Sequence, residues 1–217
     1  MKKRMKLLIS IIMMALILIP SLGAIMFRRK LVEKDSPMQH LGTKQIMKNE
    51  GSSPKNIQIK VEGYYDITTT KSKNTDSSQL PELNSSRLAQ FFNQDEAIRL
   101  DSGQEATLTP AKFEKIPLKN KIYSLTDTGN YLIGQQFPSG EYWISYTGDI
   151  PEWKVENGMR SKGAIQVVVH SPKAVTDSKS YTLTPKDTKQ KVTLTDRKFL
   201  TPNCKMKLAT SGKKFSH

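Results

Sequence analysis

The hydrophobic positions of this chain fall into two unlike regimes. From Leu7 to Phe27, LLISIIMMALILIPSLGAIMF is an apolar run with no charge in 21 residues. A helix of that length, rising about 1.5 Å per residue, spans a hydrocarbon core of about 30 Å. From Asn56 onward, apolar and polar residues alternate over short runs separated by Ser/Thr/Asn/Gly clusters, which is the signature of strands. The pattern predicts strands at 57–62, 64–70, 97–101, 105–110, 120–125, 131–136, 142–147, 164–171, 180–185, 191–195 and 199–202. Only LNSSRLAQFFNQDEA (83–97) reads as a helix, with Ser85 or Ser86 as its cap and Leu88, Phe91 and Phe92 on one face. Between the two regimes, residues 28–56 are polar, keep no lasting period and contain a Gly51-Ser52-Ser53-Pro54 breaker, so they read as a linker.

The expected fold class is mainly β: one or two small β-sandwich-like modules behind an N-terminal transmembrane helix. The boundaries that follow are a basic tail at 1–6, the membrane segment at 7–27, the linker at 28–56, a first β module with one short helix at 57–118, a second at 119–210 and a tail at 211–217. A short internal echo favours two modules. AIRLDSGQEATLTPAKFEK (97–115) resembles KVTLTDRKFLTPNCKMK (191–207), and each lies downstream of a Gly-x-Tyr-x-Ile element, at Gly63–Ile67 and Gly140–Ile144. Chance recurrence of common strand vocabulary is the competing explanation.

Composition narrows the class. Hydrophobic content is 36% and aromatic content 7%, and part of this is spent in the first 27 residues, so thin β layers suit the remainder better than a large α/β body. Net charge is +14, concentrated around the apolar run and in residues 173–214, where eleven Lys or Arg face only Asp177, Asp187 and Asp196. The short N-terminal side and long polar remainder favour a cytoplasmic N-terminus and an exported body. A cleavable signal peptide is the second reading, with an apolar region near Leu7–Ile19 and with Ser21 and Gly23 at the cleavage positions. Ile25-Met26-Phe27 continues the apolar run past that point and favours the retained anchor; cleavage would give a secreted protein. Cys204 is the only cysteine, which excludes an intramolecular disulfide and any multi-cysteine metal site.

The stretch GNYLIGQQFPSGEYWISYTG (129–148) is the most distinctive in the exported part. Tyr131, Leu132 and Ile133 suit a strand, Gly134 a bulge or positive φ, and Phe137-Pro138-Ser139-Gly140 a type I turn. Alternation then places Tyr142, Ile144 and Tyr146 on one side and Trp143 and Ser145 on the other, with Phe137 tucked beneath the turn. Gly129, Tyr131, Gly134, Pro138, Gly140 and Tyr142 match a pattern close to G-x-Y-x-V-G-x-D-I-P-x-G-x-Y. In this the chain resembles a small extracellular β module of exported proteins in Gram-positive bacteria. Gln136 replaces the usual Asp and Phe137 the usual Ile. The resemblance implies a small extracellular β domain and brings no catalytic residue with it.

Direct signs of chemistry are sparse. His40, His170 and His217 stand in unrelated contexts, and the chain holds no HExxH, G-x-S-x-G, S-x-x-K or P-loop; Cys204 has no evident His partner. The expectation is a protein that is not an enzyme and needs no metal or cofactor. Asp149, Glu152 and Glu156 around Trp153 read as a solvated loop or a sugar- or cation-binding lip. Basic residues crowd the last strands, and Lys205 and Lys207 are expected on one exposed face. The binding candidates are Trp143, Trp153, Lys189, Lys191, Lys198, Lys205 and Lys207. The implied partners are the membrane through residues 7–27 and teichoic acid or another envelope protein, with no nucleic acid expected. The expected function is non-catalytic binding or scaffolding in a Gram-positive cell envelope. The alternatives are a secreted soluble factor, or a wall-modifying enzyme using Asp149, Glu152, Glu156 or Cys204.

Overall fold

The computed structural model describes residues 36–71, 80–147, 152–154, 160–162, 165–172, 174–184 and 186–211, with the backbone alone for 152–154, 160–162 and 174–176. The chain divides into two units, residues 1–39 and 40–217. The described part of the first is one 3-10 turn, Pro37–Gln39. The expected membrane segment at 7–27 and basic tail at 1–6 lie outside the described residues. Among the described residues no helix is long and apolar enough to cross a membrane.

The second unit is built from strands, as the alternation predicts. In chain order they are β1 (Gln45–Lys48), β2 (Lys55–Gln58), β3 (Gly63–Lys71), β4 (Ser86–Phe92), β5 (Ala97–Leu100), β6 (Glu105–Pro110), β7 (Ile122–Leu125), β8 (Thr128–Gly129) and β9 (Tyr131–Leu132). These are followed by β10 (Gly140–Tyr146), β11 (Glu152–Lys154), β12 (Arg160–Lys162), β13 (Ile165–Ser171), β14 (Ala174–Leu183), β15 (Lys189–Leu194), β16 (Phe199–Pro202) and β17 (Met206–Thr210). They assemble as a five-stranded sheet β1-β6-β3-β4-β8, two four-stranded sheets β15-β10-β17-β7 and β14-β13-β16-β9, and the pairs β2-β5 and β11-β12. β4 and β8 run parallel, whereas the other paired strands are antiparallel.

Period-two alternation decides which side each strand buries. From one four-stranded sheet Tyr142, Ile144, Val192, Leu194, Met206 and Leu208 point inward, and from the other come Ile165, Val167, Val169, Tyr181, Leu183 and Leu200. The two sheets therefore form a sandwich, and each large aliphatic side chain so buried contributes about 1.5–3 kcal/mol. A second cluster joins Met47, Tyr65, Ile67, Ala106 and Leu108 of the five-stranded sheet to Ile98 and Leu100 of β5. A third, centred on Tyr64, Phe113 and Phe199, has ring centroids 5.6 to 6.3 Å apart and draws on both halves of the sequence. The internal echo has a counterpart here. β5 passes into β6 through a turn containing Gly103 (φ 72), and β15 into β16 through Arg197 (φ 65). In both cases the Leu-Thr-Pro strand belongs to a different sheet from its predecessor.

Three local expectations are corrected. The helix over 83–97 is absent, because Ser86–Phe92 is β4, paired with β3. The register passes from Tyr65↔Gln90 to Ile67↔Arg87, so β4 carries one extra residue, and Ala89 there adopts φ 47. That bulge breaks the alternation and leaves Leu88, Phe91 and Phe92 three and four apart, imitating a helical face. Ser85, expected as a cap, donates its hydroxyl to Glu82 O at 2.7 Å in a turn. The expected linker at 28–56 contains β1, whose Met47 is fully buried, and the start of β2. Finally, the reversal expected at Phe137–Gly140 lies upstream at Gly134–Gln136: Gly134 (φ 89) donates to Phe137 O at 2.8 Å, and Gln136 N to Leu132 O at 3.0 Å.

The Gly-x-Tyr elements turn out to be one device used three times. Tyr131 and Tyr142 each donate a phenol proton to the carbonyl four residues upstream, Asp127 O and Pro138 O, both at 2.7 Å. Tyr65 does the same to Val61 O. In every copy a glycine with positive φ stands two residues before the ring, at Gly129 (φ 116), Gly140 (φ 149) and Gly63 (φ 151). That backbone turns the strand so that the ring folds back over its own approach, as in a tyrosine corner.

Candidate functional site: an aromatic and basic sheet face

Because β10 sits between β15 and β17, side chains that leave its outer side acquire neighbours from three other strands. Trp143 stands opposite Lys191 of β15 and Ala209 of β17, and Ala209 stands opposite Ile122 of β7. One row across the sheet is therefore Ile122, Ala209, Trp143, Lys191. The adjacent row is Ser124, Lys207, Ser145, Lys189. On the other side of Trp143, Glu141 faces Thr193. With strands about 4.8 Å apart, each four-residue row is about 14 Å wide.

Trp143 is 46% exposed, although β10 is a central strand of a folded sheet. Its neighbours in sequence, Tyr142 and Ile144, are buried, so the indole is placed outside by alternation and not by a loop. Lys191 Nζ lies 2.9 Å from Glu141 Oε2. Lys189 and Lys207 have no ion pair among the described residues, so they leave the face positive. Lys205 precedes β17 and is exposed, alternating with buried Met206, and its carbonyl accepts Thr147 N at 2.9 Å. The arrangement offers a flat aromatic ring, three or four ammonium groups and the hydroxyls of Ser124, Ser145 and Thr193. Those groups suit an extended polymer that presents both anions and sugar-like CH faces.

The remaining candidates are placed elsewhere or are not described. Lys198 lies beyond the turn leaving β15 and pairs with Asp177 of β14 at 2.7 Å, a hydrogen bond that holds the Asp177 carboxyl below its ordinary range. It does not join the Trp143 face. Trp153 and Glu152 belong to β11, whose pairing with β12 sets Trp153 opposite Ser161, and their side chains lie outside the described residues. Asp149, Glu156 and His217 also lie outside them. His40 is exposed, whereas the His170 ring lies 3.0 Å from both Thr201 Oγ1 and Ser171 O. Burial pushes the Cys204 thiol up to about 11, the wrong direction for a nucleophile at neutral pH. Among the described residues no group of three or more His, Cys, Asp or Glu is placed to hold a metal ion.

Sequence reasoning identified Trp143 and the lysines but missed Ile122, Ala209, Ser124 and Thr193. Their membership of the face depends on strand order, in which β10 takes partners 50 and 66 residues downstream (Tyr142↔Val192 and Trp143↔Ala209). No protein-family model, curated protein or solved structure matches the chain.

Proposed function

We propose that this chain is a non-catalytic binding protein of a Gram-positive cell envelope, anchored through residues 7–27 with its β-rich part outside. Its outer face around Trp143 holds an anionic wall polymer of the teichoic-acid type. The observation that carries this reading is the exposed Trp143 in the middle of a central strand, with Lys191 directly opposite and Lys189 and Lys207 in the next row. A ring at that place stabilises no core. Its stacking surface and the surrounding ammonium groups match the two components of a sugar- or polyol-phosphate chain. The uncharged stretch Leu7–Phe27 between basic flanks supports the anchor.

The test is titration of the detergent-solubilised full chain with soluble teichoic acid at several salt concentrations. Trp143→Ala is expected to weaken binding about tenfold or more, equivalent to about 1.4 kcal/mol. The double change Lys189→Gln with Lys207→Gln is expected to weaken it at low salt and to flatten its salt dependence. Unchanged affinity in both variants, or wild-type binding indifferent to salt, would remove the proposal.

A further inference from the structure

The outer face around Trp143 has a repeat as well as a charge. Its outward positions along β10 are Trp143 and Ser145, followed by Thr147, whose N–H continues the ladder by donating to Lys205 O at 2.9 Å. Each has a lysine beside it. Lys191 stands opposite Trp143, Lys189 and Lys207 stand on the two sides of Ser145, and Lys205 stands opposite Thr147. All four lysines are exposed. Alternate residues of an antiparallel strand are about 6.8 Å apart, so ammonium groups flank the path of β10 at that period, from β15 on one side and β17 on the other.

Lys191 shows how far such a side chain reaches. Its Nζ crosses from β15 to the carboxylate of Glu141, the diagonal neighbour on β10, and lies 2.9 Å from Oε2. Lys189, Lys205 and Lys207 start from equivalent places beside β10 and can lean over Ser145 and Thr147 in the same way. The Lys191–Glu141 pair also makes the row of Trp143 neutral. The rows of Ser145 and Thr147 differ, holding Lys189, Lys207 and Lys205 with no carboxylate among their paired residues. A ligand lying along β10 therefore meets a neutral ring first, then two positively flanked seats one period apart.

We infer that the polymer lies along β10 and that its repeat is a three-carbon polyol phosphate, as in poly(glycerol phosphate). This rests on the reading of the Trp143 face as a site for an anionic polymer, and adds its direction and register. Such a repeat has six backbone bonds, the same number as two amino-acid residues, and when extended both advance about 7 Å. Successive phosphates then fall on the rows of Ser145 and Thr147, one between Lys189 and Lys207 and the next beside Lys205, with the two hydroxyls below as donors. The carbon segment beyond them, or a sugar attached to it, covers the indole. A five-carbon repeat has eight backbone bonds and advances about 9 Å, so it falls out of step within one unit. Inorganic polyphosphate has no carbon face to lay on Trp143. Laid across the sheet, a chain would meet only Lys207 and Lys189, about 10 Å apart, and would leave Lys205 and Trp143 in other rows.

The full chain in detergent is titrated with unsubstituted poly(glycerol phosphate), poly(ribitol phosphate) and inorganic polyphosphate, at equal phosphate concentration and about 0.15 M salt. The first is expected to bind about fivefold to tenfold tighter than either of the others. Lys205→Gln removes the second seat; it is expected to weaken the glycerol polymer about threefold to tenfold and bring it level with the ribitol polymer. Lys55→Gln takes the same charge from β2, in another sheet, and is expected to keep the affinity and the preference of the wild type. Equal binding of the two polyol polymers, preference for the ribitol polymer, or a Lys205→Gln variant indistinguishable from Lys55→Gln would overturn the register. In those cases salt-dependent binding that needs Trp143 still upholds the face itself, whereas absence of binding to all three polymers would remove both.

Discussion

Replacing Gly129 with alanine is expected to destabilise the protein by about 4 kcal/mol or more, or to leave no folded protein at all. Its φ of 116 lies where L side chains rarely go, and a Cβ there would sit 2.3 Å from both the N and the O of Leu88. Those are backbone atoms of β4, paired in parallel with β8 through Leu88↔Gly129, so no side-chain rotation relieves the clash. The next residue fastens the same seam: Asn130 N donates to Leu88 O at 2.9 Å, and Asn130 Nδ2 to Ala89 O at 2.8 Å. Any retreat of β8 from β4 breaks these bonds as well. Gly51→Ala is the control, since its Cβ would meet only Asn49 Oδ1, at 3.2 Å. Urea unfolding midpoints of the two variants compare them directly, and a mild effect at Gly129 would disprove the rigid-seam account.

Asp66→Ala is expected to cost about 2–3 kcal/mol, and Asp66→Asn about half as much. Asp66 Oδ1 accepts Ala89 N at 2.8 Å and Oδ2 accepts Lys112 N at 2.9 Å, so one carboxylate fixes the β4 bulge and the chain leaving β6. Ala89 holds a left-handed backbone that costs about 1–2 kcal/mol, and it needs that support. Asparagine keeps one acceptor but turns an N–H₂ toward the second donor, whereas alanine loses both. Burial raises the Asp66 carboxyl above its ordinary value; the two backbone donors and the Lys112 charge oppose this, and the Asp127 charge adds to it. The folded state therefore holds this proton more tightly than the unfolded state, and stability falls as pH rises through the range just above the usual Asp value. In the same unfolding series at acidic pH, the stability of the wild type relative to Asp66→Asn should fall as pH rises through that range.

The strands were readable because their alternation is a local property. β6 at Glu105–Pro110 and β16 at Phe199–Pro202 fall where the pattern places them, and the outward Trp143 follows from its place between Tyr142 and Ile144. What failed was whatever depended on a partner strand. The bulge at Ala89 is stabilised by Asp66, 23 residues away in sequence, and without it the spacing of Leu88, Phe91 and Phe92 looks helical. β1 reads as linker because four residues, QIMK, carry too little pattern; they become a strand only through pairing with Glu105–Leu108. The Trp143 face was half legible: its lysines could be found in the sequence, but Ile122 and Ala209 enter only through the strand order.

The tyrosine corners also set the protein's limit in alkali. Burial raises the phenol of Tyr131 and carries that of Tyr142 up to about 12. Released from the fold, the same phenols ionise at about 10. Below that pH their contribution is intact. Between about 10 and 12 the unfolded chain gives up protons that the folded one keeps, so each further step in pH favours unfolding. Phenolate absorbance should therefore rise together with the loss of folded structure, as a single cooperative event, while the hydroxyls bonded to Asp127 O and Pro138 O stay protonated until their strands come apart.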